Sequence, residues 1–328
     1  MIIQRLHDSW RLRVLVAVLG SGLFLCPAQA AFLDTGYGAR PTGMGGAFTA
    51  ISDDSNAPLY NPAGLVQVQY NELSAMYSRL FSGLTLYSGN ASTGGDTVHL
   101  DQSYLAYVSP PSRLGSFALS WQNFNTTSLY REDTVTLSYA HYLGDIIPVF
   151  DNQVSMGVNV KYLRRAFTLD ATTVNDPVFA AGDTKSAATV DAGILWKPDD
   201  GAYEGWRLGF TAKNLNQPNV GFLTTDKVPV ELRLGAAYQS RQRPWLVPAL
   251  DLSRRDGVTG VYGGLESWLF NDALGLRAGA NRDEASAGIS YFQTLGKKTG
   301  FRLDYSFTVP YYVQDTAGSH RLQLSIYF

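Results

Sequence analysis

The feature that most constrains this chain is a two-residue alternation of apolar and polar side chains, sustained in run after run. Val154, Met156, Val158 and Val160 fall on one face, and Ser155, Gly157, Asn159 and Lys161 on the other. Val230, Leu232, Leu234, Ala236 and Tyr238 oppose Glu231, Arg233, Gly235, Ala237 and Gln239. Phe301, Leu303, Tyr305, Phe307 and Val309 oppose Arg302, Asp304, Ser306 and Thr308. That is the period of a strand, not of a helix. Each run lasts about 9 to 12 residues, the length a tilted strand needs to cross a bilayer, whereas soluble strands average about five or six. The mean hydropathy of -0.08 excludes a bundle of apolar helices. It does not exclude a transmembrane β-barrel, whose two faces cancel in the average. Charged residues make up 16% and aromatic residues 12%, which excludes a disordered chain. A net charge of -2 gives no basic footprint for nucleic acid.

The pattern predicts an all-β transmembrane antiparallel barrel of about 14 strands. They lie near 70–79, 101–109, 115–124, 131–143, 153–165, 187–197, 205–214, 228–240, 244–253, 258–268, 274–282, 284–294, 299–309 and 319–328. Connections alternate in length. Those at 110–114, 198–204, 241–243, 269–273 and 295–298 are short; those at 80–100, 166–186, 215–227 and 310–318 are long and polar. Short turns on one rim and long loops on the other mark outer-membrane barrels. The links near 254–257 and 283 are short exceptions, and 144–152, with Pro148, is a long turn. Aromatic pairs at strand ends, Tyr104 and Tyr107, Trp121 and Phe124, Tyr139 and Tyr142, Tyr291 and Phe292, are expected in the two interfacial girdles.

Both ends carry targeting features. Arg5, Arg11 and Arg13 precede an apolar run from Val14 to Leu25 and the small-x-small sequence Ala28-Gln29-Ala30, the pattern of a secretory signal cleaved after Ala30. The only cysteine, Cys26, lies inside it, so the mature chain has no disulfide; Leu25 before it does not fit a lipoprotein signal. Removing residues 1–30 leaves a net charge of about -4. At the other end Leu322, Leu324, Ile326 and Phe328 share one face of the last strand, with an aromatic terminus. This resembles the signal that bacterial barrel-assembly machinery recognises. The expected location is therefore the bacterial outer membrane, with outer-membrane lipids as the surroundings.

Residues 31–69 precede the barrel at 70–328 and hold the most specific motif. Gly43-Met44-Gly45-Gly46-Ala47-Phe48 leads through Asp53-Asp54 to Asn61-Pro62-Ala63-Gly64-Leu65. It resembles the N-terminal region of the FadL-type outer-membrane transporter superfamily, nearest to its PorV/PorQ branch. Pro229 to Gly235, Asp304 to Phe307 and His320 to Leu324 extend the resemblance. It implies a fourteen-stranded barrel with this segment folded into the lumen as a hatch. The residues fit that role. Gly43, Gly45 and Gly46 permit close approach and positive φ. Asn61-Pro62 starts a turn, Gly64 can turn left-handed, and Ala57 and Asn61 are biased to extended geometry by the following proline. Asp53 and Asp54 are expected to meet lumen cations such as Arg233, Arg277 or Arg302.

No chemistry-bearing motif competes. Gly43-x-Gly45-Gly46 lacks the strand–helix context of a nucleotide loop. His99, His141 and His320 lack metal-ligand spacing; there is no HExxH, GxSxG or P-loop, and Asp145 near His141 makes no triad by itself. No metal, cofactor or catalytic residue is expected. The sequons Asn90-Ala91-Ser92 and Asn125-Thr126-Thr127 read as polar loop residues. Two functions follow from the resemblance. One is passage or binding of hydrophobic small molecules, with Phe167, Phe179, Phe222 and Leu223 as apolar members of the capture loops. The other is an accessory barrel serving a protein secretion or surface-attachment partner. A plugged lumen disfavours a general polar porin. N-terminal sequencing of the exported protein should begin at Ala31.

Overall fold

The computed structural model describes residues 31–33, 35–84, 99–126, 129–147, 153–169, 173–198, 203–296 and 298–328. The signal segment, Cys26, Pro148, the first sequon, Thr127 of the second and most of the 80–100 loop lie outside these residues. Period-two alternation yields strands wherever it was expected. They are β1 (Glu72–Leu80), β2 (Leu100–Val108), β3 (Ser116–Thr126), β4 (Tyr130–Tyr142), β5 (Val154–Phe167), β6 (Thr184–Trp196) and β7 (Trp206–Lys213). β8 (Glu231–Tyr238), β9 (Leu246–Arg255), β10 (Val258–Leu269), β11 (Leu274–Asn281), β12 (Glu284–Thr294), β13 (Gly300–Pro310) and β14 (Ser319–Tyr327) follow. Each pairs antiparallel with its chain neighbour, and β1 with β14, so the sheet closes into a barrel. No helix among the described residues is long and apolar enough to cross a membrane; the chain has strands to do it.

Register sends the apolar set outward. Leu73, Leu105, Leu119, Leu137, Val160, Leu234, Leu250, Leu303 and Leu324 are all exposed. The polar set, including Ser74, Ser138, Asn159, Asp251, Arg277, Asp304 and Gln323, is buried in the lumen. This inverts a soluble fold and matches a surface whose solvent is lipid. On the rim of short turns Tyr107 stacks on Phe328, while Phe117 packs at a tilt against Tyr139 and Trp206 against Tyr238, forming one aromatic girdle.

The girdle corrects the sequence reading. Tyr104 and Tyr107 are three residues apart, as are Tyr139 and Tyr142, and an odd separation puts two residues on opposite faces. Tyr104 and Tyr142 point inward instead, their hydroxyls donating to the backbone oxygens of Ser55 (2.6 Å) and Val66 (3.1 Å). Phe292, beside outward Tyr291, turns in against Tyr327.

The segment before β1 fills the lumen. It forms the short helices α1 (Ala39–Gly43) and α2 (Ala57–Tyr60) and a 3-10 helix at Pro62–Gln67. Nearly every residue from Tyr37 to Val66 is buried. Its backbone lies against lumen-facing glycines of the wall. A Cβ on Gly157 of β5 would strike the backbone of Pro62 and Ala63, and one on Gly209 of β7 the Thr49 carbonyl. One on Gly264 of β10 or Gly279 of β11 would overlap Met44. The high glycine content therefore has a structural use: these positions are left bare so that a second backbone can reach the wall. Within the hatch, Gly45 (φ 65°) and Gly46 (φ 86°) take left-handed conformations.

Two local expectations fail. Gly64 is not left-handed; it belongs to the 3-10 helix and is bare because a Cβ would overlap the Ser52 carbonyl. Ala57 opens α2 rather than extending, since the following Pro58 occupies the first helical turn, where its missing N–H costs nothing. Asn61 is extended, as its proline requires (φ -153°, ψ 105°).

Substituting Gly279→Ala should destabilise the protein by about 1–3 kcal/mol through overpacking and expose the hatch to proteases. Gly263→Ala, where the nearest atom to a new Cβ is 3.9 Å away, should leave thermal unfolding and proteolysis unchanged.

Candidate functional site

The site is the lumen, and its centre is Arg40 on α1. Its sequence context gives no sign of this role, because a lone arginine before a proline carries no pattern. Its side chain is 7% exposed. Nη1 reaches Asp53 at 2.6 Å and Asp54 at 3.0 Å, and Nη2 and Nε each donate to Glu266 of β10 at 2.7 Å. The network spreads around the wall. Glu266 also accepts from Arg277 of β11 (2.6 Å), Asp54 from Arg302 of β13 (2.8 Å), and Asp53 from Arg207 of β7 (3.3 Å). The expected partnership of the aspartates with lumen cations thus holds for Arg302. Arg277 instead serves Glu266. Arg233 of β8 serves Asp251 of β9 at 3.0 Å and the Gly46 carbonyl.

The hatch turn is fixed separately. Asp251 accepts from the Phe48 and Thr49 amides (3.1 and 3.0 Å) and from the Thr49 hydroxyl (2.7 Å). Asn61 accepts from the Ala63 amide, capping the 3-10 helix at 3.1 Å, and donates to the backbone oxygens of Thr49 and Ile194. Removing one partner of a buried charge pair costs about 3–5 kcal/mol, so the ion pairs of Arg40 and Asp54 hold the hatch against the wall.

The hatch divides the lumen. On the turn side a vestibule of about 890 Å³ is lined by Arg40, Asp53, Arg207, Trp245, Trp268 and Tyr327. On the loop side lies a cavity of about 100 Å³ bounded by Phe32, Leu59, Tyr60, Leu163, Lys161 and Glu231. The two share no lining residue.

Above the smaller cavity, at the loop rim, three of the four residues expected in capture loops converge. The rings of Phe167, Phe179 and Phe222 lie 5.3–5.5 Å from one another, and Tyr130 is 4.9 Å from Phe167. Arg165 sits 5.3 Å from Phe167 and pairs with Asp226 at 2.6 Å. Leu223 stands apart, 69% exposed. Below the cluster, Leu163, Val220 and Val228 pack with Ala31.

The hydrogen-bonded ladder of the wall is shortest beside this cluster. β6 pairs with β7 only over Ala192–Trp196 and Leu208–Ala212, although β6 runs on to Thr184. The remaining edge is covered by segment 214–230. There the Leu215 amide donates to the Val190 carbonyl (3.0 Å), and the Asn216 side-chain amide to that of Ala188 (2.8 Å).

A family model described as "F plasmid transfer operon, TraF, protein" matches residues 74–251, just over half of the chain. The chain belongs to the TraF_2 family. The matched part runs from β1 through most of β9 and leaves out the hatch. The comparison with curated proteins matches nothing. Among solved structures this TraF_2 member is similar to the toluene transporter TbuX of Ralstonia pickettii, covering 89% of this chain and 96% of that one at TM-score 0.55 and 14% identity. A FadL homologue of Pseudomonas aeruginosa gives 88%, 97%, 0.55 and 15%. The toluene transporter TodX of Pseudomonas putida gives 89%, 96%, 0.55 and 13%. At such identities the likeness is one of fold: a FadL-type barrel.

The remaining sequence candidates are distributed. Leu322, Leu324, Ile326 and Phe328 face outward as expected. His141 lies 3.5 Å from Asp145 at the turn rim, and no group of described residues could hold a metal ion.

Acid should release the hatch. Burial opposes charge on Asp54, but Arg302 and Arg40 outweigh it and hold the carboxyl below its usual range of about 3.8. Asp54 therefore stabilises the docked state fully above that pH, and the contribution is lost as pH falls through the lower folded value. Burial likewise opposes the Arg40 charge, and Asp53, Glu266 and Asp54 overcome it, so Arg40 stays cationic throughout. Hydrogen exchange over residues 39–67, corrected for intrinsic rates, should show constant protection from neutral pH to about 4 and loss below it, with Asp54→Asn flattening the profile.

Proposed function

We propose that this TraF_2 barrel sits in the bacterial outer membrane, with residues 1–30 removed on export and the long loops outside. There it captures hydrophobic small molecules at its loop rim. The observation that carries this reading is the Phe167–Phe179–Phe222 cluster with Tyr130: aromatic faces gathered from three separate segments above a cavity, an arrangement suited to an apolar or aromatic solute. The fold shared with toluene transporters supports it. Below the cluster, straight passage is obstructed by the hatch and the ion pairs around Arg40. The β6–β7 seam, covered only by segment 214–230, is the cheaper exit, and it delivers an apolar solute sideways into lipid.

A second reading keeps the barrel and drops the transport. The PorV/PorQ-like motif at Gly43–Leu65 and the charge-locked hatch suit an accessory barrel that serves a secretion or surface-attachment partner. Gentle extraction that yields a stable complex with a larger protein favours this reading. Equilibrium binding of toluene or a long-chain alkyl probe separates the two. The first reading expects saturable binding, weakened about tenfold or more by Phe167→Ala with Phe222→Ala, as loss of two half-buried aromatic faces implies. Absence of saturable binding by the wild-type barrel would reject it.

A further inference from the structure

The outward strand positions are almost free of charge. Among the described residues the exceptions are Arg79, Asp101, Arg131, Asp133, Arg164 and Arg254. All lie at the loop end of their strands, immediately above the apolar band. At lipid-facing depth a charged side chain is costly unless it has a partner, so each needs an explanation.

Two of the arginines share one patch. The β4–β5 register sets Asp133 opposite Arg164 and Arg131 opposite Ala166, placing Arg131, Asp133 and Arg164 together on the outward face. Arg131 grips Asp133 through Nε at 2.8 Å and Nη2 at 2.9 Å. Asn123 and Trp121 on β3 also donate to Asp133, at 2.9 and 3.2 Å. The single carboxylate is thus saturated, and Arg131 is held in place by it with its side chain still 51% exposed. Arg164 is exposed as well, with no ion-pair partner among the described residues, so the patch carries one positive charge in excess. Below it run Val135, Leu137, Val160 and Tyr162, all exposed and outward. A ligand that satisfies this surface must have a doubly acceptor anion at the rim and apolar chains reaching down the wall.

We propose that Arg131 and Arg164 form a binding site for the phosphate of a membrane-lipid headgroup, with the acyl chains lying along β4 and β5. Guanidinium groups bind phosphate by paired N–H donation, and the Asp133 cluster orients one of them in advance. The site is separate from the lumen and does not depend on how the lumen is used.

The test uses the full mature barrel reconstituted in phosphatidylcholine bilayers containing a minor fraction of lipid A with both phosphates. The barrel is then re-extracted in neutral detergent and its retained lipid read by native mass spectrometry. The wild type should retain lipid A in preference to phosphatidylcholine. Arg131→Gln with Arg164→Gln should lower retention about tenfold, as loss of two headgroup-facing charges implies. The corresponding double lysine variant should recover part of it, and Arg254→Gln, a solitary arginine on β9, should stay within about twofold of wild type. Heat-modifiable gel mobility verifies that each variant is a closed barrel. Excess inorganic phosphate should leave the lipid in place, because its chains remain on the apolar wall. Equal retention by the wild type and the double glutamine variant overturns the proposal, as does an equal loss in Arg254→Gln. Complete displacement by inorganic phosphate would reject a lipid site in favour of a simple anion site.

Discussion

A lumen lined with ionised side chains cannot be left without partners. Arg233, Asp251, Glu266, Arg277, Arg302 and Asp304 are all buried, and removing such groups from water is expensive unless each meets an opposite charge or a full set of hydrogen bonds. The wall supplies part of the answer itself, as in Arg302 with Asp304 at 2.7 Å. The hatch supplies the rest: Arg40 completes Glu266, Asp54 completes Arg302, and the Phe48–Thr49 turn completes Asp251. Barrel and hatch are thus one electrostatic unit. The glycines of the wall are the steric side of the same requirement, because these bonds form only when the hatch backbone lies in contact with the strands.

Most of the barrel was legible because strand periodicity is a local signal. A one-residue slip would exchange the lipid face for the lumen face along a whole strand, so the alternation cannot drift, and boundaries fell within a few residues. The girdle is legible only in part, because clustering in sequence is not clustering in space; the parity of the separation decides the face. In the hatch, Asp53 and Asp54 were visible as a pair beside a glycine motif, but their principal partner was not. Arg40 reaches Glu266 across 226 residues of chain, and no local pattern encodes such a contact. The same limit hid the role of Gly157, Gly209, Gly264 and Gly279, since each is defined by what approaches it from another segment. The convergence of Phe167, Phe179 and Phe222 was readable only as three apolar residues in polar loops.

Family and fold describe different parts of the molecule. The TraF_2 match ends within β9 and begins after the hatch, while the likeness to FadL-type structures extends over nearly all of the described chain at 13–15% identity. A barrel can keep its shape at low identity because its outward positions ask only for apolar bulk.

The join between β1 and β14 bears on how such a molecule is made. Ser55 of the hatch donates to Glu72 at 2.8 Å and meets Ser74 at 2.6 Å, and Ser74 in turn meets Ser325 of β14. The first segment of the chain therefore touches the place where its first and last strands come together. A cylinder shut around nothing would trap Glu72 and Arg302 without their hatch partners. Hatch docking and closure of the wall are therefore linked in free energy, because Glu72, in the strand that seals the cylinder, meets Ser55 only when the hatch is in place.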